Sequence, residues 1–90
     1  MLGDPYAFAE GLGINVCWAF ELPFLVGSSG ENTVFYRWDS DPTVRAERAW
    51  EGIAQCIMTR AGVEWSAPEA ALFAKKLRRL APSQLDHDVA

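Results

Sequence analysis

One long amphipathic segment, residues 41–62, constrains the fold of this chain more than any other feature of its sequence. Asp41 followed by Pro42 is typical of a helix start, where a capping side chain precedes a residue whose φ suits the first turn. Gly62 is typical of a helix end. Apolar residues recur at helical spacing along one side, so other elements must cover that side. The apolar stripe is Ala46, Ala49, Trp50, Ile53, Cys56, Ile57 and Ala61, and the polar side is Glu47, Arg48, Glu51, Gln55 and Thr59.

The remaining sequence predicts two more helices and three strands. Asp4-Pro5 begins the first helix, and the capping box "SAPE" at residues 66–69 begins the last one, which we expect to end at Pro82. β-branched and aromatic residues over 14–20 and 33–38 predict strands. A short apolar run before the Gly-Ser loop at residues 27–32 completes a hairpin with the second of these strands.

These elements predict an α+β fold, in the order helix, strand, hairpin, helix, helix. We expect a small, mainly antiparallel three-stranded sheet with three helices packed against it. Residues 1–82 form a single domain, and residues 83–90 form a polar C-terminal tail.

Composition narrows the classes of function. The chain has 90 residues, 50% of them hydrophobic, and a formal net charge of −4, which disfavours direct nucleic-acid binding. No apolar run approaches the ~20 residues of a membrane span, and the N-terminus lacks the pattern of a signal peptide. Cys17 and Cys56 lie in apolar segments, so we expect two reduced core thiols in a cytoplasmic protein.

Few side chains could support catalysis. His87 is the single histidine and lies between two acids near the C-terminus, which excludes a histidine-ligated zinc site and leaves any nucleophile without an imidazole base. No glycine-rich phosphate loop is present, and no cofactor is expected. The carboxylates Glu47, Glu51 and Glu69 leave metal-independent acid–base catalysis open as an alternative.

Two surfaces are candidates for contact with a partner. The first is the hairpin strand with Tyr36, Arg37 and Trp38, because aromatic and arginine side chains anchor many interfaces. The second is a basic cluster near the end of the last helix, where cations also suit the helix dipole. This cluster comprises Lys75, Lys76, Arg78 and Arg79, and through it a nucleic-acid-associated regulatory factor remains an alternative.

Several segments together resemble the ImmA/IrrE family of zinc-metallopeptidase-like proteins. The matching pieces, over residues 5–82, are "AEGLGINVCWAF", "ELPFLVG", "NTVFYRW", "RAERAWEGIAQCIM" and "PEAALFAKKLRRLAP". The resemblance places Trp50 and Ala54 where the family carries its two zinc-binding histidines, Glu51 at the general base and Glu69 at the third ligand.

This resemblance implies a degenerate peptidase-like domain that no longer cuts. Two carboxylates without imidazoles cannot rebuild a nitrogen-rich zinc site, and Glu51 then has no metal-bound water to activate. The expected function is therefore a non-catalytic protein-binding or regulatory module. Its implied origin is a phage or mobile element, and its implied partner is a host protein or a transcriptional regulator.

Overall fold

The structure, a computed structural model, describes the backbone of residues 4–89 and the side chains of residues 4–80. The described chain forms three helices and three strands in the predicted order, which confirms the α+β class. The elements are α1 (Pro5–Gly11), β1 (Asn15–Ala19), β2 (Val26–Ser29), β3 (Thr33–Arg37), α2 (Pro42–Arg60) and α3 (Ala67–Val89).

The first two helices begin at the predicted capping residues. Asp4 Oδ1 accepts a hydrogen bond from the Tyr6 N–H at 2.9 Å, and Asp41 Oδ1 accepts one from the Thr43 N–H at 2.8 Å. Each bond satisfies an N–H that the helix itself leaves without a partner. Gly62 follows the end of α2 with φ +72°, a left-handed conformation that ends the helix at little cost for glycine.

α3 begins as predicted but extends further than predicted. Ser66 Oγ accepts from the Glu69 N–H at 3.4 Å, and Glu69 Oε1 accepts from the Ser66 N–H at 3.1 Å, which completes the capping box. The prediction that Pro82 ends this helix is wrong, because α3 continues to Val89. A proline removes one hydrogen bond from the ladder and can bend a helix that then resumes. The expected domain boundary at residue 82 therefore falls inside α3.

The sheet has the expected three strands, in the order β1-β3-β2, but it is mixed and not mainly antiparallel, because β1 pairs with β3 in parallel. β2 and β3 form the predicted antiparallel hairpin, with Gly30 at φ +65° in its turn. The turn is shorter than the predicted loop of residues 27–32, because residues 27–29 belong to β2. β1 pairs with the other side of β3 in parallel, with Asn15 opposite Thr33 and Ala19 opposite Arg37. β1 and β2 are therefore the two edges, and β1 and β3 end at the same side of the sheet.

The two faces of the sheet differ in burial. Val34 and Tyr36 are buried beneath α2, whereas Phe35, on the opposite face, is exposed. Cys17 pairs in register with Phe35 and is also exposed, so the prediction of a core position for Cys17 is wrong. Alternation along β1 and β3 directs these two side chains to the face opposite the one that α2 covers.

The burial of α2 extends beyond the predicted stripe, because this helix packs against both the sheet and α3. Gln55, predicted on the polar side, is buried with 3% exposure, so that prediction is wrong. Ala61, predicted in the stripe, follows the end of α2 and is exposed. The core cluster around this helix contains Ala9, Ile14, Val34, Trp50, Ile53, Ala54, Cys56 and Ala74.

An exposed aromatic patch and the predicted site residues

Three aromatic side chains meet where β1 and β3 end. Trp18 is in β1, Phe20 follows that strand, and Trp38 follows β3. The Trp18 ring centroid lies 4.6 Å from that of Trp38 and 5.3 Å from that of Phe20, and the Phe20 and Trp38 centroids are 5.8 Å apart. The parallel pairing of β1 and β3 brings these residues together, since it places both carboxyl ends side by side. We call Trp18, Phe20 and Trp38 the aromatic patch.

The aromatic patch remains largely open to solvent although its rings contact one another. Phe20 is 67% exposed and Trp18 is 47% exposed, while Trp38 is half-buried. Tilted and edge-to-face contacts at these separations are favourable ring geometries, so the patch is an ordered surface. Single exposed apolar residues are common on proteins, but a contiguous group of exposed aromatics is typical of an interaction site.

Arg45 adds a positive charge to the aromatic patch. Its guanidinium carbon lies 4.1 Å from the centroid of the Trp38 ring, which is cation–π geometry. Its Nη1 donates to the backbone carbonyl oxygens of Asp39 at 2.8 Å and Ser40 at 3.2 Å. Within the part of the chain whose side chains are described, Arg45 forms no ion pair with a carboxylate. The guanidinium is thus held in place by neutral backbone acceptors.

The three hairpin residues predicted as partner contacts have different surroundings. Tyr36 is 1% exposed, and its hydroxyl lies 2.5 Å from the Tyr6 hydroxyl, so it belongs to the core. Burial, and then the bond to Tyr6, raise the pKa of Tyr36 far above its ordinary value. Arg37 is half-buried and donates from Nη2 to the Leu22 carbonyl at 2.6 Å. Of the three, only Trp38 lies in the aromatic patch.

The basic cluster lies along the middle of α3, because that helix continues to Val89. The expectation that the helix dipole explains the position of these cations is therefore wrong, because the dipole acts only within the last turn. Lys75, Lys76 and Arg79 are exposed, and Arg78 is half-buried. Lys75 and Arg78 line a groove of about 210 Å³ between α2 and α3, and Glu47 and Glu51 line the same groove. The structure thus brings two of the predicted cations together with two of the predicted carboxylates.

The four positions that the resemblance aligned with the peptidase motif have different surroundings. Trp50 is 1% exposed with its ring centroid 5.1 Å from that of Phe8, and Ala54 is fully buried. Glu51 is half-buried, and desolvation raises its pKa, an effect that nearby Arg48 partly opposes. Glu69 is exposed, does not line the groove and is bonded within the capping box.

These positions do not fit a zinc ion. Indole and methyl side chains at residues 50 and 54 offer no ligand atom. Among the described side chains, no three His, Cys, Asp or Glu residues lie close enough to hold a metal. The side chain of His87 lies outside the described residues.

No protein-family model, curated protein or solved structure matches this chain. In the portion of the chain that the structure describes, none of the helices has the length and apolar character needed to cross a bilayer.

Sequence reasoning missed Trp18, Phe20 and Arg45. The hairpin signal concerned only β2 and β3, so it did not indicate that β1 lies beside β3 in the sheet. The available signal was the clustering of aromatics in "CWAF" and "FYRW" at the ends of two predicted strands. Parallel pairing of those strands would have placed both groups at one side of the sheet.

Proposed function

We propose that this chain is a non-catalytic protein-binding module and that the aromatic patch with Arg45 is its contact surface. The observation that carries the proposal is the exposure of contacting rings, Phe20 at 67% and Trp18 at 47%, beside the guanidinium of Arg45. Tryptophan and arginine are the residues most enriched among those that dominate binding energy at protein interfaces.

The arrangement of the aromatic patch favours binding because it is already ordered before a partner arrives. Trp38 contacts Trp18 on one side and Arg45 on another, and Arg45 is fixed by two backbone carbonyls. Immobilising a flexible side chain on binding costs about 0.5–1.5 kcal/mol, and much of that cost is avoided here. We therefore infer a partner surface that presents an apolar side chain next to a carboxylate, which would pair with Arg45.

The alternatives gain less support from the geometry. For nucleic-acid binding, Lys75 and Arg78 line the same groove as two carboxylates, and the whole chain carries a net charge of −4. For acid–base catalysis, Glu51 is half-buried and desolvation raises its pKa, whereas Glu47 and Glu69 are exposed. Charged groups of both signs along a helix–helix groove are typical of a solvated helix surface and need neither function to explain them.

The experiment that tests this function is affinity capture from the native host with paired variants. Phe20→Ser and Trp38→Ala should each lose a protein that the parent chain retains. Leu72→Ser is the matched control, because Leu72 is 61% exposed and lies on α3. Retention of the same proteins by the parent and by both patch variants, when all of them are folded, would refute the proposed surface.

The non-catalytic part of the proposal has its own test. The purified protein should bind no stoichiometric zinc, and Glu51→Gln should leave any residual peptide hydrolysis in the preparation unchanged. Stoichiometric zinc by elemental analysis, or hydrolysis abolished by Glu51→Gln, would contradict it. The resemblance described above would make the partner a host protein or a transcriptional regulator.

A further inference from the structure

β1 has a free edge with hydrogen-bonding groups available. The Asn15 N–H donates to the Asn32 carbonyl at 2.7 Å, and the Ala19 carbonyl accepts from the Trp38 N–H at 2.8 Å. Residues 15, 17 and 19 therefore direct their backbone groups toward β3, and Val16 and Trp18, which alternate with them, direct theirs outward. Within the described chain, no strand pairs with this outer side of β1.

The β1 edge lacks the features that usually prevent strands from pairing between molecules. Its sequence, "NVCWA", contains no charged residue and no proline. Natural edge strands are commonly blocked by an inward-pointing charge, a lysine, a proline or a bulge. Among the described residues nothing pairs with this edge, so its five uncharged residues are available to another strand.

A groove lies beside this edge on the face that α1 covers. Its volume is about 390 Å³, and Tyr6 and Glu10 of α1 line one side of it. The other side is formed by residues 13–16. Val16 is thus next to an open space, and Trp18, two residues further along the same face, is 47% exposed.

We propose that β1 pairs in antiparallel orientation with β1 of a second copy of this chain, centred on Cys17. In this register Val16 of one copy lies opposite Trp18 of the other. Val16 and Trp18 both direct their backbone groups outward, so each Val16–Trp18 pair between the copies exchanges two hydrogen bonds. The two symmetry-related pairs give about four hydrogen bonds in the whole interface. The same register brings the exposed Trp18 of each copy beside the groove at Val16 of the other.

The self-complementarity of β1 identifies a second copy as the occupant. Trp18, which is 47% exposed, and Val16, which lines the groove, lie one residue to either side of Cys17, so a two-fold axis through Cys17 brings each Trp18 beside the groove of the other copy. The uncharged strand also avoids facing like charges across the axis. This inference goes beyond the protein-binding function proposed above, because it concerns association of the chain with itself.

Cys17 lies at the axis and reports on the register. It is exposed on the open face of the sheet, opposite its own counterpart in a non-hydrogen-bonded position. Cα atoms at such positions are about 4.5 Å apart, within the range of about 4.4–6.8 Å that a disulfide requires. The dimer itself is non-covalent, and the thiol pair only makes its register measurable.

The first test is sedimentation of the full-length chain under reducing conditions over a concentration series. Five paired residues form a small interface, so a dissociation constant of roughly micromolar order is expected. Cys17→Lys places two like charges at the axis and should weaken the dimer about fivefold or more. Val63→Lys is the matched control, since Val63 is 52% exposed between α2 and α3 and the change in net charge is the same.

A parent chain that stays monomeric throughout the series would overturn the proposal. So would a dimer that Cys17→Lys, folded by circular dichroism, does not weaken. Loss of the dimer in Val63→Lys as well would assign the effect to charge alone and would also overturn it.

The second test is oxidation with diamide, which takes up the two electrons and two protons that two thiols release as they form a disulfide. The parent chain should form a covalent dimer rapidly. Cys17→Ser should form none while still sedimenting as a dimer, because Cys56 is buried. A dimer that does not cross-link through Cys17 would place the interface elsewhere and contradict this register.

Discussion

Replacing Gly52 with alanine tests how closely α2 packs on the sheet. Gly52 is buried in the middle of α2, over β3. A Cβ atom at this position would lie 2.1 Å from Val34 Cγ1, 3.1 Å from Val34 Cβ and 3.2 Å from Val34 Cγ2. Val34 has 0% exposure, so its side chain has no solvent to move into. The helix and the strand would therefore have to separate.

The magnitude follows from two opposing effects. Alanine in a helix interior is favoured over glycine by about 1 kcal/mol. Ordinary carbon contacts are about 3.5–4.0 Å, so relief of the Gly52→Ala contact with Val34 requires a shift of roughly 1.5 Å. Overpacking of this kind in a close-packed core costs about 1–3 kcal/mol, and we expect the upper end here. The net loss of unfolding free energy is then about 2 kcal/mol, or roughly 8–16 °C in Tm.

Chemical denaturation of four variants measures this effect and isolates its cause. Gly52→Ala should destabilise the parent chain but stabilise the Val34→Ala background by up to about 1 kcal/mol, because both Cγ atoms are absent there and the helix preference for alanine remains. The coupling is then about 2–3 kcal/mol. Gly11→Ala is the control, because no heavy atom lies within 4 Å of its added Cβ. It should be neutral or slightly stabilising. Additive effects at residues 52 and 34, or a stabilising Gly52→Ala in the parent chain, would refute the close packing.

Three further predictions concern polar groups. Gln55 Oε1 is buried without a partner among the described residues, so Gln55→Met should raise the unfolding free energy by about 1 kcal/mol; a loss in urea denaturation would contradict this. Burial holds the pKa of the Glu51 carboxyl above its ordinary 4.5, so the folded state binds a proton at Glu51 more tightly than the unfolded state does. At neutral pH the ionised carboxylate of Glu51 therefore destabilises the fold. Glu51→Gln should therefore raise Tm at pH 7, with the gain shrinking as pH falls toward 4.5, and an unchanged or lower Tm at pH 7 would contradict this. Ser66→Ala removes the capping box and should cost about 1 kcal/mol, and an unchanged Tm would refute that role.

Local signals in the sequence predicted the starts of the three helices well. Asp4 and Asp41 each precede a proline, and each caps the helix that follows. Ser66 and Glu69 form the predicted capping box. Such signals are reliable because one side chain satisfies backbone groups two or three residues away, which depends little on the rest of the fold.

Features that depend on packing between distant elements were less predictable. The apolar stripe of α2 did not indicate that Gln55 would be covered, because its burial comes from the packing of the helix against neighbouring elements. Cys17 has an apolar neighbourhood in sequence but lies on the open face of the sheet. The aromatic patch depends on the parallel pairing of Trp18 with Tyr36, which no local pattern specifies.

The most direct measurement of the central claim is the affinity of the captured partner for matched variants, by titration calorimetry. Truncation of a central aromatic at an interface typically costs about 2 kcal/mol or more, so Phe20→Ser and Trp38→Ala should each weaken binding roughly 30-fold. Leu72→Ser should bind as the parent chain does. Equal affinities for the parent and both patch variants, all folded by circular dichroism, would contradict the assignment of the aromatic patch as the binding surface.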